Sequence, residues 1–219
     1  MIKINNSNCT YQIQPLTHPF GFKGAYSSCI WTVEVKLESH ETKAFGSSIQ
    51  GVLWSDGSLY SSVKEQKANE YMFNITSYVC EKLIGMCFTH PEDLFDNIFQ
   101  LAINYAHSVL HIFPRKTFIL NALVPIDNAI RMLYSRYKGI YDFENFASII
   151  TMSDIKQDKL ALIPLITHGT ILDQIKNLPY NSVSILKIKV VADTDNDNDN
   201  SQMLKQEKIT LLHNNDKIK

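Results

Sequence analysis

SSCIWTVEVKLES, residues 27–39, is the stretch on which the fold turns. Trp31, Val33, Val35 and Leu37 alternate with Ile30, Thr32, Glu34 and Lys36, the period of two by which a strand shows one face to a core and the other to water. TYQIQPL (10–16) before it and KAFGSSIQGVLW (43–54) after it also read as strands, and the polar ESHETK (38–43) reads as a turn. A three-stranded antiparallel meander is therefore expected.

Beyond Asp56-Gly57 the period changes. Tyr71, Met72, Ile75, Tyr78, Val79 and Leu83 recur at helical spacing, and Gly85 sits where a helix closes in the left-handed conformation. Thr89-His90-Pro91-Glu92 has the spacing of a capping box with proline in the first turn. Leu94, Phe95, Ile98, Leu101, Ala102, Tyr105 and Val109 form the apolar stripe that follows. A further helical stretch, about 116–138, contains Pro125, which predicts a kink or split near Val124, and ends before Gly139.

From about Leu160 the pattern changes again. LALIPLI (160–166) is a continuous apolar run suited to a strand buried on both faces, THGTILDQIKNL (167–178) reads as a short helix, VSILKIKVV (183–191) as a strand and MLKQEKITLLH (203–213) as a helix. That order predicts the opening of a parallel α/β domain.

At 219 residues, 45% hydrophobic and 20% charged, the chain suffices for one large domain or two small ones. A formal net charge of -1, with lysine mixed among glutamate, argues against nucleic acid as the main partner and for a small molecule. The N-terminus shows no basic region followed by an apolar core and cleavage site, and nowhere do about 18 apolar residues run together. A cytoplasmic protein without membrane contact is expected. Cys9, Cys29, Cys80 and Cys87 have no CxxC spacing, so reduced, partly buried thiols are expected and a zinc site is not.

Lys187 and Lys189 are two apart in a strand and so share a face. On alternation alone they are two solvated charges on an ordinary strand. Inside a barrel, like charge and desolvation would lower one lysine's pKa toward working pH, where a neutral amine acts as a general base. Asp193, Asp195, Asp197 and Asp199 suggest a calcium loop, but position six is Asn198 where glycine is needed and position twelve is Leu204 where glutamate is needed. His107 and His111 are one helical turn apart with no glutamate beside the first, and read as helix-surface histidines.

In this order the segments resemble the enolase superfamily, specifically the N-terminal portion of its muconate-lactonizing and dipeptide-epimerase-like (mandelate racemase-related) branch. The resemblance is carried by PFGFKGAYSS (19–28), SIQGVLWSD (48–56), RKTFILNALVPIDNAIRMLYSR (115–136), ALIPLITHGT (161–170) and above all LKIKVVADTDNDND (186–199). It implies an α+β capping domain over 1–145, a meander plus helices, followed over 146–219 by the first two β/α units of an incomplete (β/α) TIM-type barrel. It also implies α-proton abstraction next to a carboxylate, with Mg²⁺ stabilising the enediolate. Lys189 takes the acid/base role, and Lys187 holds the carboxylate and depresses its neighbour's pKa. Phe22, Lys23, Tyr26, Gln50 and Trp54 become substrate-pocket residues, with Thr167 and His168 beside the first barrel strand.

The departures are equally specific. In the family the metal-binding carboxylates stand on the third to fifth barrel strands, which would follow Lys219. Val191 and Pro125 also stand where relatives tend to have glycine. The expectation is the N-terminal part of a racemase or epimerase acting on dipeptide or N-acyl amino acid type carboxylates, inactive as an isolated chain and binding no Mg²⁺ alone. The resemblance implies a Mg-dependent isomerase, and the residues present leave the chain's own activity undecided. A second chain supplying the rest of the barrel, or a homo-oligomer, is the expected partner. Two alternatives stay open: a non-catalytic cap kept as a binding or interaction module, and an unrelated α+β protein whose LKIKV is a surface strand.

Overall fold

The computed structural model describes residues 1–22, 25–40 and 42–141, together with the strand segments 165–166 and 187–188. In chain order the first unit contains β1 (Ile2–Lys3), β2 (Asn6–Phe22), β3 (Ala25–Ser39), β4 (Thr42–Ile49), α1 (Val52–Ser55), α2 (Gly57–Leu83), β5 (Cys87–Phe88), a 3-10 turn (Pro91–Leu94), α3 (Phe95–Ser108) and α4 (Lys116–Tyr137). The expected meander is present, antiparallel in the order β2-β3-β4. Its register sets Cys9 opposite Val35, Tyr11 opposite Val33 and Ile13 opposite Trp31, while Val35 faces Gly46 and Leu37 faces Ala44 on the other side. Trp31, Val33, Val35 and Leu37 are buried and Glu34 is exposed, as the alternation requires. Burying one such aliphatic side chain stabilises by roughly 1.5–3 kcal/mol.

Helices α2 and α4 cover the apolar face of this sheet, and α3 packs on both helices. The contact of α4 with β4 is backbone to backbone. A Cβ built on Gly46 would lie 2.2 Å from the carbonyl oxygen of Pro125 and from the amide nitrogen of Ala129, so only glycine fits there. Along the same line α4 caps the open edge of β4: Asn121 Nδ2 donates to the Ile49 carbonyl, Asn128 Nδ2 to the Ser47 carbonyl and Arg136 to the Lys43 carbonyl. Polar side chains from a helix thus occupy an edge that would otherwise be free to pair with another strand.

Several local features differ from the expectation. GVLW is not the end of a strand: Ser55 N–H donates to Gly51 O and Asp56 N–H to Val52 O, closing the turn of α1. Val52 and Leu53 are both buried, which consecutive strand residues on a two-faced sheet are not. The cap before α3 is displaced by one residue, because the Asp93 carboxylate, not Glu92, accepts the N–H groups of Thr89 and His90 at 2.9 and 2.8 Å. The buried stripe that follows is Leu94, Ile98, Ala102 and Ala106, while Phe95 and Val109 are exposed. Pro125 does not split α4, which runs unbroken from Lys116 to Tyr137. His111 lies beyond the end of α3 at φ 54°, so it shares no helix face with His107. Gly85 and Gly139 close their helices at φ 90° and 73°, as expected.

The N-terminus holds an element with no clear sequence signal. β1 pairs with β5, Ile4 exchanges backbone hydrogen bonds with Met86 and Gly85, and Ile2 and Ile4 are fully buried.

The chain divides into two units, Met1–Leu160 and Ala161–Lys219. In the second, β6 (Leu165–Ile166) and β7 (Lys187–Ile188) pair in parallel, Leu165 opposite Lys187 and Ile166 opposite Ile188. The boundary expected between 145 and 146, the helices expected around 167–178 and 203–213, and the Asp/Asn run all lie outside the described residues.

Candidate functional site

The first unit holds two sets of unusual polar groups, one at Gln50 where β4 ends and one at Glu65 where the β2–β3 hairpin extends beyond it. Gln50, just past β4, donates its backbone N–H to the Trp31 carbonyl at 2.9 Å. The residue is only 8% exposed, and neither Oε1 nor Nε2 of its side chain has a partner among the described residues. Ser48, two residues earlier and so on the same face, has a buried hydroxyl in the same condition. A buried polar group left unpaired costs about 1–3 kcal/mol, so a fold that keeps an unpaired amide here does so against its own stability.

The turn after Gln50 is rigidly held. Gly51 N–H donates to Asn121 Oδ1 at 2.7 Å, and the buried Asp56 carboxylate accepts Leu59 N–H at 3.0 Å and Arg115 N–H at 2.8 Å. Trp54 stands out from α1, 63% exposed.

Beyond Thr32, the last β3 residue paired with β4, only β2 accompanies β3, and the two strands continue as a hairpin. The segment 19–28 is therefore largely paired: Phe20 faces Ser27, Gly21 faces Tyr26 and Phe22 faces Ala25. Tyr26 is 67% exposed and its ring lies over Gly21, where a Cβ would come within 3.0 Å of it. Phe22 is half-buried against the core. At the usual rise of a strand, about 3.3 Å per residue, Tyr26 lies roughly 17 Å along β3 from Trp31 and hence from the level of Gln50.

Glu65 of α2 holds the base of this hairpin. Its carboxylate accepts the Ser27 hydroxyl at 2.6 Å, the Ser28 hydroxyl at 2.5 Å, the Ser28 N–H at 2.8 and 3.0 Å and the Cys29 N–H at 3.3 Å. Burial works to raise its pKa, but these hydroxyl and amide donors outweigh burial and hold the carboxyl below its ordinary value. Cys29 and Tyr60 are both pushed up, first by burial and then by the Glu65 charge. The residue before it, Lys64, interrupts α2 at φ 67°, ψ 167°, a conformation essentially reserved for glycine and costing of order 1–3 kcal/mol in other residues. Sequence reasoning missed this anchor because its partners are 37 positions away.

Of the remaining residues singled out in the sequence, Lys187 lies in β7, and Lys23, Thr167, His168 and Lys189 fall outside the described residues. Among the described residues no three His, Cys, Asp or Glu side chains converge as a metal site. They do not fit a Mg²⁺ centre, so no chemical step through the metal follows from them. Nor is any described helix long and apolar enough to cross a membrane.

No family model and no curated protein sequence matches the chain. Solved structures do. A dipeptide epimerase from Methylococcus capsulatus, complexed with Mg and the dipeptide L-Arg-D-Lys, aligns with TM-score 0.59 at 15% identity over 97% of this chain and 51% of its own. The fold is that of the N-terminal portion of the enolase superfamily. A mandelate racemase/muconate lactonizing protein from Herpetosiphon aurantiacus aligns with TM-score 0.57 at 14% identity, covering 89% of this chain and 46% of its own. An enolase from Bradyrhizobium, complexed with magnesium and mandelic acid, gives TM-score 0.54 at 10% identity over 86% and 45%. The chain thus spans about half the length of these enolase-superfamily structures, and its α+β first unit has the architecture of their N-terminal cap.

Proposed function

We propose that the chain is the N-terminal part of an enolase-superfamily racemase or epimerase, with a cap over 1–145 that selects a small carboxylate of the dipeptide or N-acyl amino acid type. One observation carries the reading. The Gln50 amide, buried and without a partner among the described residues, is a donor and an acceptor held ready for a polar ligand, at the end of β4 beyond which the Tyr26 hairpin projects. Trp54, on the turn that follows Gln50, offers aromatic surface beside such a ligand, and Phe22 and Tyr26 offer it further along the hairpin.

In the second unit the lysine pair has the acid/base part, Lys189 moving the α-proton and Lys187 holding the carboxylate. A neutral lysine beside a protonated one is a competent base near neutral pH. Among the described residues no side-chain cluster would hold a metal whose charge could stabilise an enediolate, an electrostatic contribution that usually dominates this chemistry. The isolated chain is inactive on this reading. Incubation with dipeptides and Mg²⁺ in D₂O then leaves the α-carbon unlabelled, and solvent deuterium at that carbon overturns the inactivity.

Ligand selection has its own test in Gln50→Leu. Leucine fills a similar volume without an unpaired amide, so the variant gains about 1–2 kcal/mol of stability and loses dipeptide binding measured by calorimetry. Unchanged binding by the variant refutes the reading.

A second reading, a non-catalytic cap that binds a ligand or partner, is favoured by the fact that Gln50, Tyr26, Trp54 and Glu65 all belong to the Met1–Leu160 unit. It predicts that removing 161–219 leaves ligand affinity unchanged.

A further inference from the structure

We propose that Glu65 is the positioning residue of the β2–β3 hairpin tip, the group that fixes where Phe22 and Tyr26 stand. Its consequence for ligand selection rests on the reading above; the tether itself does not.

The hairpin is poorly supported by its own sheet. β4 pairs with β3 only from Thr32 onward, so the tip is a two-stranded ribbon, which on its own is marginal in water. Its ladder is also broken. Between the pairs Pro15–Cys29 and Phe20–Ser27, residues 16–19 of β2 stand opposite Ser28 alone. At that break the Ser28 N–H goes to the Glu65 carboxylate, which also takes both neighbouring hydroxyls and the Cys29 N–H. A second tie comes from the same helix, the Tyr60 hydroxyl donating to the Tyr26 carbonyl at 2.5 Å.

The strained Lys64 explains how one helix makes both ties. In a continuous helix, residues five apart are rotated by about 140° and could not both reach one ribbon. The interruption at Lys64, between Tyr60 and Glu65, removes that constraint and turns Glu65 onto Ser27–Cys29. Strain maintained at this point marks a conformation that the surrounding contacts enforce. Among the described residues the titratable groups facing the carboxylate are Cys29 of β3 and Tyr60 of α2, both shifted toward the neutral form, and no ion pair involves it. Donors from the hairpin itself therefore account for its stabilisation.

The test compares the ligand-free chain with Glu65→Gln by amide exchange and by NMR titration. In the variant, amides of Tyr26, Ser28 and Cys29 exchange at least ten-fold faster while those of Val33 to Leu37 keep their protection. Exchange at the tip that matches the wild type, or protection lost equally across β3 as a general packing defect would give, overturns the proposal. In the wild type the Ser28 amide shift titrates with a midpoint below that of an ordinary glutamate, a transition absent from Glu65→Gln and retained by Glu65→Asp. A midpoint at or above the ordinary value overturns it as well, even where a variant fails to fold. Because no ligand is present, either failure leaves the ligand-selection reading to be judged by its own experiment.

Discussion

Gly46 and Pro125 meet across the sheet–helix interface so closely that the first carbon of any side chain on Gly46 would stand 2.2 Å from the Pro125 carbonyl oxygen. Gly46→Ala therefore has to push β4 away from α4 or bend the helix. Overpacking of this kind costs about 1–3 kcal/mol, and contact with backbone puts the substitution at the upper end, roughly 3 kcal/mol. Urea unfolding should show a lowered midpoint at unchanged slope; a midpoint equal to the wild type's would mean that β4 and α4 lie further apart.

Lys64 offers the opposite change. Its left-handed φ of 67° costs a lysine of order 1–3 kcal/mol, and glycine removes that strain while adding about 0.5–1 kcal/mol of unfolded-state entropy. Lys64→Gly should stabilise by about 1 kcal/mol in thermal unfolding, and a destabilised variant would show that the helix is not broken there.

The Glu65 carboxyl gives the stability an acid dependence of known sign. Its folded pKa is lowered, so its contribution is complete above the unfolded value of about 4.3 and is lost as pH falls through the lower, folded value. The stability difference between wild type and Glu65→Gln should accordingly be present at pH 6 and vanish at strongly acid pH. A difference that persists unchanged in acid would remove the carboxylate's charge from the account.

What was legible in the sequence is what neighbours in the chain decide. The alternation of residues 30–37 named the buried face of β3, and Gly85 and Gly139 marked helix ends, because strand period and left-handed closure are local properties. The helical turn at Val52–Ser55 was hidden because it depends on Asn121, 70 positions away, and the Glu65 tether because it depends on Ser27 and Ser28. Gln50 was named as a pocket residue by resemblance alone. That its amide is buried without a partner among the described residues is a tertiary fact no spacing reveals. Lys187 lies in a strand paired with Leu165, whereas the lysine carrying the proposed proton transfer, Lys189, lies outside the described residues.

The most direct test of the central claim, that the end of the sheet at Gln50 receives a polar ligand, is an NMR titration of the chain with a dipeptide, following the Gln50 side-chain amide. The account predicts that this resonance shifts and saturates together with that of the Trp54 indole. A Gln50 amide that stays in place while the dipeptide binds elsewhere, or at millimolar dipeptide with no shift at all, would contradict it.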